Sequence, residues 1–501
     1  MDYTSARTLG QLKKSGYKPL PIKEELRKNL IHALKKKENP FEGILGYDDT
    51  VIPDIQTAIL SRHNIILLGL RGQAKTKIAR LMINLLDEYV PIVEGSDLND
   101  DPFNPLSRYS NDLIAECGDL TKISWLHRSD RYTEKLATPD VTVADLIGDV
   151  DPIKAASLKL PYSDERVIHF GLIPRSHRSI FVINELPDLQ ARIQVALFNI
   201  LQESDIQIRG FKIRLPLDIQ FVFTANPEDY TNRGSIVTPL KDRIDSQILT
   251  HYPKSTDVSK SITQQEAALA HEQKTSILVE EILKDLIEEI AFEARQSEYI
   301  DHKSGVSARL TISAYENLIS TAERRMIING EKNTQLRISD LYGVIPSITG
   351  KIELVYEGEQ EGPSKVANIL IGKAIKNLFQ TYFPTPDKVK KSQSQSPYQS
   401  IVAWFSKGNT IDLMSNASDK DYEKALLSVP GLKDFVKKFF PDADERTMLL
   451  MIEFTLHGMA EFSLISKFRL ENGLQFKDIL SSMFTMSNEE DDETITGTDY
   501  V

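Results

Sequence analysis

The chain has 501 residues, 41% of them hydrophobic and 26% charged, which is typical of a globular protein with more than one core. Its net charge of −12 argues against general binding to nucleic acid, because neutralising phosphates requires a basic surface. The one cysteine, Cys117, excludes an internal disulfide framework and a multi-cysteine zinc site, so we expect a cytoplasmic location. No apolar run approaches the roughly 20 residues of a membrane-spanning helix, so membrane insertion is not expected.

The first predicted elements are an amphipathic helix and an α/β domain. Leucines recur at helical spacing between residues 22 and 37, which predicts a helix within an N-terminal segment, 1–40. Short apolar runs that end in glycine or polar residues then alternate with amphipathic stretches across 41–255. Such runs are typical of buried parallel strands, so we predict an α/β domain with a mostly parallel sheet. The runs are 65–68, 180–183 and 221–223.

After Tyr252 the strand pattern ends, and we expect helices alone. Residues 279–294 and 307–329 carry apolar side chains at helical spacing, which predicts a helical lid domain over 256–355. The remaining segments are predicted to be a helix with a polar linker (356–400), a helical extension (401–487, with helices over 422–440 and 446–470) and an acidic disordered tail (488–501).

The first candidate site is the segment Gly69-Leu70-Arg71-Gly72-Gln73-Ala74-Lys75-Thr76, between the strand 65–68 and a helix predicted over 77–86. A loop in this position can direct backbone N–H groups and a helix N-terminus at phosphate oxygens. Lys75 is expected to reach the β- and γ-phosphates of ATP, and the Thr76 hydroxyl to hold Mg²⁺. Ala74 replaces the second glycine of the pattern GxxxxGK[ST], which is tolerable if its φ is negative. A glycine-rich turn with an exposed lysine is the alternative.

Polar groups at three later positions complete a possible ATP site. After the strand 180–183, Glu185 is the candidate to polarise the attacking water, and Asn184 to hold Mg²⁺ through a water molecule. Asn226 ends the next strand and can orient that water. Arg243, delivered from a neighbouring subunit, can stabilise the transferred phosphoryl group.

Each of these residues also has an ordinary interpretation. Glu185 can be a strand cap, Asn226 a strand-ending amide, and Arg243 the partner of Asp242 or Asp245 in a salt bridge. However, the four sites follow one another in the order, and on the elements, that a single ATP site requires. Their conjunction therefore predicts ATP binding.

With these residues in place, the chain resembles the AAA+ ATPases, and most of all the clade of the magnesium-chelatase ATPase subunit and the MoxR-type ATPases. The resemblance covers about residues 8–355. Segment 69–76 resembles the Walker A motif, and 180–185 resembles Walker B. Two more segments are similar to sensor 1 (224–227) and to the arginine-finger segment (240–244).

The resemblance adds three residues to the predicted site. The turn 43–49 is similar to the opening turn of the family, which implies that Ile44 and Gly46 line the adenine pocket. The segment 305–309 is similar to sensor 2, which implies that Arg309 reaches ATP. The fold implied is a P-loop AAA+ core with a mostly parallel sheet, a helical lid and a mainly α extension.

The family's activity implies an ATP-hydrolysing ring protein, expected to be a hexamer, that uses ATP and Mg²⁺ to remodel or activate a partner protein. The role implied is metal insertion or a chaperone-like activity, with a von Willebrand factor A-domain protein as partner. A hairpin predicted over 206–215 carries Arg209, Lys212 and Arg214, which face either a central pore or solvent. Asn184 in place of an acid leads us to expect slow hydrolysis. The alternatives are a nucleotide-gated assembly scaffold and, less favoured, a DNA-acting motor.

Overall fold

The computed structural model describes residues 3–161, 164–208, 214–227, 235–386 and 396–479. The chain divides into two compact units, Met1–Tyr252 and Pro253–Val501. In the second unit, one hydrophobic core contains residues from Ile277 to Phe476. The finer domain boundaries at 355, 400 and 487 stay predictions.

The first unit alternates helices and strands along the chain. Its helices are α1 (Leu9–Ser15), α2 (Ile22–Lys36), α3 (Val51–Leu60), α4 (Lys75–Leu81), α5 (Arg108–Cys117), α6 (Val143–Leu146), α7 (Pro152–Leu158), α8 (Leu172–Arg175), α9 (Ala191–Glu203) and α10 (Thr238–Asp242). Its strands are β1 (Ile65–Leu68), β2 (Tyr89–Val93), β3 (Ile123–His127), β4 (Tyr132–Leu136), β5 (Gly148–Val150), β6 (Ile168–Phe170), β7 (Ser179–Asn184), β8 (Asp205–Gln207), β9 (Arg214–Pro216), β10 (Ile219–Ala225) and β11 (Ser246–Leu249).

The central sheet of this unit has the strand order β11-β1-β10-β7-β4, and its neighbouring strands are parallel. Leu68 and Ala225, the last residues of β1 and β10, pair with each other, and Phe223 pairs with Ile183 of β7. Because the strands are parallel, their carboxyl ends meet at one edge of the sheet. The residues that follow β1, β7 and β10 are therefore brought to the same place.

The apolar runs of these strands arise because both faces of the sheet are covered. Ile65 and Leu67 belong to a core cluster shared with α2, α3 and α4, whereas Ile66 and Leu68 belong to the cluster that contains α9. Successive strand residues point to opposite faces, so a strand covered on both sides must be apolar at every position. The predicted parallel α/β core is confirmed, as is the helix predicted over 22–37.

A buried ion pair ties α2 to the residue before β4. Glu25 of α2 and Arg131 are bidentate partners, with both Nη–Oε distances 2.7 Å and side-chain exposures of 3% and 1%. Glu25 also accepts from the backbone N–H of Asp87. Two charges buried together in this way stabilise the fold only as a pair, since either alone carries a large desolvation cost.

The second unit is mainly helical. Its helices are α11 (Thr256–Glu266), α12 (His271–Ser276), α13 (Glu281–Gln296), α14 (Arg309–Asn329), α15 (Ile345–Thr349), α16 (Tyr356–Glu361), α17 (Pro363–Tyr382), α18 (Gln399–Phe405), α19 (Asp419–Leu427), α20 (Leu432–Phe439) and α21 (Glu445–Glu461). Its strands are β12 (Ile277–Leu278), β13 (Thr334–Gln335), β14 (Ile411–Met414), β15 (Ser466–Leu470) and β16 (Gly473–Lys477).

The expectation that strands end after Tyr252 is wrong. A three-stranded antiparallel sheet, β14-β16-β15, lies in the second unit, and β12 pairs with β13. The helix predicted over 446–470 ends at Glu461, because 466–470 alternates polar and apolar residues and suits a strand. The helix predicted over 422–440 is two helices, α19 and α20, separated at Gly431, whose φ is +79°.

With these corrections, the architecture is the predicted one: an α/β core with a parallel sheet, followed by a mainly helical region. Within the described ranges, none of the helices combines the length and apolar character that crossing a bilayer requires.

Candidate functional site

The phosphate-loop candidate connects β1 directly to α4, and its backbone is left-handed at Ala74. This residue has φ +56° and ψ 14°, so the condition under which alanine is tolerable here, a negative φ, is not met. The loop turns into the helix at this position, which requires a left-handed residue there, and Gly72 nearby also has a positive φ of 72°. A methyl group in this conformation costs about 1–2 kcal/mol. The loop therefore carries local strain that glycine would relieve.

The helix after the loop also begins earlier than predicted. It starts at Lys75, not at residue 77, and after Leu81 it continues only as a 3₁₀ turn, Met82–Leu85. Lys75 and Thr76 therefore lie in the first helical turn. The N–H groups of a first turn have no partner within the helix and carry partial positive charge, which favours an anion at this point.

The start of the loop is packed against the strand end after β11. The Thr250 hydroxyl donates to Gln73 Oε1 at 2.6 Å, and both side chains are buried. A Cβ atom at Gly69 would lie 2.0 Å from Thr250 Oγ1 and 2.2 Å from Gln73 Oε1. Glycine at 69 is therefore required by close approach, and Gln73 holds the loop in place through its side chain.

The predicted opening turn lies against the loop. Tyr47 donates to the carbonyl oxygen of His251 at 2.7 Å, and the Gln73 carbonyl oxygen lies 3.1 Å from the same hydroxyl. Burial raises the pKa of Tyr47 to about 12, so the hydroxyl keeps its proton near neutral pH. Ile44 of the turn is buried and Gly46 has a φ of +76°. The role of these two residues in an adenine pocket stays a prediction.

Three predicted site residues from separate stretches form a continuous row of contacts. Lys75 Nζ donates to Asn226 Oδ1 at 2.6 Å, to the Leu70 carbonyl at 3.0 Å and to the Gly69 carbonyl. Asn226 Nδ2 in turn donates to Glu185 Oε2 at 3.2 Å. The amide of Asn226 thus bridges an ammonium and a carboxylate at the carboxyl edge of the sheet.

Glu185 has an unusual backbone conformation directly after β7. Its φ is +54°, and its N–H donates to Thr224 Oγ1 at 3.1 Å. A non-glycine residue in the left-handed region costs of the order of 1 kcal/mol or more and persists only where its surroundings hold it, as they commonly do at functional sites. The turn at 185 directs the carboxylate toward Asn226.

Asn184 lies at the centre of a second group of contacts. Two residues of this group were not predicted from the sequence. Its Oδ1 accepts from Thr224 Oγ1 at 3.1 Å and from Thr76 Oγ1 at 3.5 Å, and its Nδ2 donates to Glu134 Oε1 at 2.6 Å. Thr224 and Glu134 were not predicted to take part. Thr224 lies two residues before Asn226, in the segment 224–227 that the sequence singles out, whereas the mixed sequence of β4 gives no signal for Glu134.

Glu134 carries a negative charge beside the site. Partial burial acts to raise its pKa, but hydrogen bonds from Arg80 and Tyr132 outweigh burial and leave the pKa below its ordinary value. Arg80 of α4 contacts both oxygens, at 2.9 and 3.1 Å. Glu134 is therefore ionised at neutral pH.

The oxygens around Thr76 fit Mg²⁺. Hydroxyl and amide oxygens are hard ligands, and Mg²⁺ usually keeps several waters while bound to one or two protein groups and substrate phosphates. The Thr76 hydroxyl and the Asn184 carbonyl oxygen supply two such ligands, and the carboxylate of Glu134 lies on the other side of the Asn184 amide. In the part of the chain that the structure describes, no cluster of three or more His, Cys, Asp or Glu residues forms a ready metal cage.

Arg243 has a separate set of contacts. Arg243 follows α10, donates to Gln202 Oε1 at 3.0 Å and to the Pro239 carbonyl at 2.7 Å, and stacks on Phe198. No ion pair joins it to Asp242 or Asp245 among the described residues. Arg309 is exposed at the first position of α14 in the second unit.

The hairpin predicted over 206–215 has its two strands, β8 and β9, paired antiparallel. Arg209 and Lys212 lie outside the described residues. Arg214 is exposed and lies 3.5 Å from Asp205 across the hairpin. The predicted pore-facing role stays a prediction.

No family model matches the chain. Three solved structures illustrate what it is similar to. A putative ATPase from Cytophaga hutchinsonii is 17% identical, over 72% of this chain and 97% of that chain, with a TM-score of 0.28. A complex of the magnesium chelatase subunits BchI and BchD gives 18% identity, 64% and 98% coverage, and a TM-score of 0.33.

NtrX from Brucella abortus in complex with ATP gives 12% identity, 62% and 54% coverage, and a TM-score of 0.33. This chain spans about half the length of NtrX.

Proposed function

We propose that the chain binds ATP with Mg²⁺ at the edge of the sheet where β1, β7 and β10 end, and that it hydrolyses ATP. The observation that supports this most directly is the row of contacts from Lys75 through Asn226 to Glu185. A phosphate-loop lysine, a polarising carboxylate and an amide between them are the groups that in-line phosphoryl transfer to water needs.

The chemistry follows from the positions of these groups. Lys75 exchanges its present carbonyl and amide partners for β- and γ-phosphate oxygens, whose charge it neutralises. Glu185 accepts a hydrogen bond from the attacking water and so increases its nucleophilicity. Because Asn226 contacts both side chains, occupation of the γ-phosphate position by substrate is transmitted to the carboxylate.

Thr76 and Asn184 are the residues that would hold Mg²⁺, Asn184 through a water molecule. When bound, the ion supplies positive charge to the β- and γ-phosphates. Asn184 is neutral, and losing a carboxylate at this position leads us to expect a slow rate. The second candidate function, a nucleotide-gated scaffold with little hydrolysis, is favoured by this one substitution.

We propose in addition that protomers form a ring, a hexamer, in which Arg243 acts on the ATP of the neighbouring subunit. Its guanidinium is held by Gln202, Pro239 and Phe198, which limits the rotamer entropy lost when it engages a phosphate. A remodelling role in metal insertion or as a chaperone, a von Willebrand factor A-domain partner and the contact of Arg309 with ATP belong to the same proposal.

The test is ATP binding by calorimetry and steady-state hydrolysis with the full chain. Lys75→Ala is expected to lose nucleotide binding, whereas Glu185→Gln keeps binding and loses turnover. Lys14→Ala, which removes an exposed lysine of α1, is the matched control and should behave like wild type. Equal ATP affinity in wild type and Lys75→Ala would overturn the assignment. Binding without turnover in the wild type would select the scaffold.

The shared site has its own test. Arg243→Ala should retain ATP binding and lose turnover, and mixing it with Glu185→Gln should recover activity, because some interfaces then combine an intact arginine with an intact glutamate. No recovery at any mixing ratio would exclude an arginine acting between subunits.

A further inference from the structure

Glu134 lies on β4, the edge strand of the central sheet, beside β7. Its carboxylate contacts Asn184 at 2.6 Å and Arg80 at 2.9 and 3.1 Å. The Glu134 side chain is 22% exposed, whereas that of Arg80 is 62% exposed. The carboxylate thus contacts a buried amide as well as the exposed Arg80. A surface ion pair with Arg80 alone would not require the contact with Asn184.

The hydrogen bonds around Asn184 have one possible direction. Thr224 Oγ1 accepts from the Glu185 N–H, so its own proton is available for Asn184 Oδ1. On the other side, an ionised carboxylate can only accept, so the group of Asn184 that faces Glu134 must be its NH₂. The carbonyl oxygen of Asn184 is therefore held toward Thr76 by both neighbours.

This orientation matters because an amide, unlike a carboxylate, has one acceptor end and one donor end. If the amide of Asn184 were reversed, its NH₂ group would face Thr76 and repel a cation. Glu134 prevents that reversal. It also places a negative charge one hydrogen bond away from the Asn184 amide. A carboxylate at position 184 would have supplied that charge directly.

We propose that Glu134 is a positioning residue for Mg²⁺, and that the Glu134–Asn184 pair together replaces the single carboxylate expected after β7. Within the pair, Asn184 presents the oxygen toward the Mg²⁺-bound water, and Glu134 supplies the charge and fixes the amide. This inference rests on the proposed ATP site.

The first test compares ATP affinity in Mg²⁺ and in EDTA for wild type and Glu134→Gln. The substitution removes the charge and lets the amide of Asn184 reverse, so the gain in affinity due to Mg²⁺ should fall about tenfold, as for other groups that orient metal ligands. Affinity in EDTA should not change. Binding of Mn²⁺ in the presence of ADP, measured by electron paramagnetic resonance, should weaken by a similar factor.

Arg80→Gln is the matched control, because it breaks the same ion pair but leaves the Glu134–Asn184 contact. It should keep the Mg²⁺ effect of the wild type or increase it, since a nearby positive charge is removed. An equal loss in Arg80→Gln and Glu134→Gln would assign the effect to the ion pair and overturn the proposal.

The second test exchanges the two groups. In Glu134→Gln/Asn184→Asp the carboxylate stands on β7 and the amide on β4, so the Mg²⁺ effect should return to within about threefold of wild type. Failure of the double variant to recover, with thermal unfolding unchanged, would overturn the proposal. If wild type binds ATP and Glu134→Gln keeps the full Mg²⁺ effect, only this inference fails. If wild type binds no nucleotide in either condition, the proposed function fails with it.

Discussion

His177 gives a pH dependence of stability that can be worked out from its surroundings. It lies two residues before β7, is 5% exposed, and its Nδ1 accepts from the backbone N–H of Asp218 at 3.0 Å. That contact requires a neutral ring. Burial, and then the charge of Arg178, lower the pKa of His177 from its ordinary value of 6.5 to about 4.

The sign follows from proton linkage. Because the pKa is lower in the folded state, the unfolded chain binds the proton first, and stability is lost as the pH falls from about 6.5 towards 4. Between about pH 7 and about pH 5.5 this one group should cost the fold about 1 kcal/mol. The full cost below both pKa values is about 3 kcal/mol.

The assay is urea unfolding of the full chain followed by tryptophan fluorescence. The chain has two tryptophans, Trp125 in the first unit and Trp404 in the second, so a Trp404→Phe background reports the unit that contains His177. His177→Asn keeps an acceptor where Nδ1 lies but does not titrate. It should be less stable at neutral pH and should lose about 1 kcal/mol less than its parent between about pH 7 and about pH 5.5. Equal losses in the two proteins would refute the reasoning.

Three further substitutions test packing and buried charge. Gly69→Ala should weaken ATP binding at least tenfold in calorimetry, because its Cβ would lie 2.0 Å from Thr250 Oγ1 and displace the loop; unchanged affinity would contradict the close packing. Glu25→Gln should destabilise the first unit by about 3–5 kcal/mol in the same urea assay, because Arg131 then carries an unneutralised buried charge. A loss below about 1 kcal/mol would show that the charge of Arg131 does not need Glu25. Gly458→Ala should lower the free energy of unfolding of the second unit by about 1–3 kcal/mol, because the added methyl group overpacks against Phe379. Trp404 fluorescence in a Trp125→Phe background measures this change. An unchanged urea midpoint would contradict the prediction.

The central sheet could be predicted from the sequence because its strands are covered on both faces. Burial on both sides forces apolar residues at consecutive positions, and this local pattern identifies β1, β7 and β10 without any knowledge of their partners. The edge strand β4 is only partly buried, so its mixed sequence does not reveal it. The same holds for β15, whose short alternation follows a long helix and resembles a continuation of that helix.

The candidate site likewise has features that local sequence patterns predict and features that depend on the folded structure. Local patterns in the sequence identify Lys75 at the start of a helix, and Asn184, Glu185 and Asn226 at or just after strand ends. The contact of Glu134 with Asn184 depends on the folded sheet, because its strand order places residues fifty positions apart side by side. The left-handed backbone of Ala74 also depends on the folded structure, because that conformation is set by the path from β1 into α4 and not by the preference of alanine.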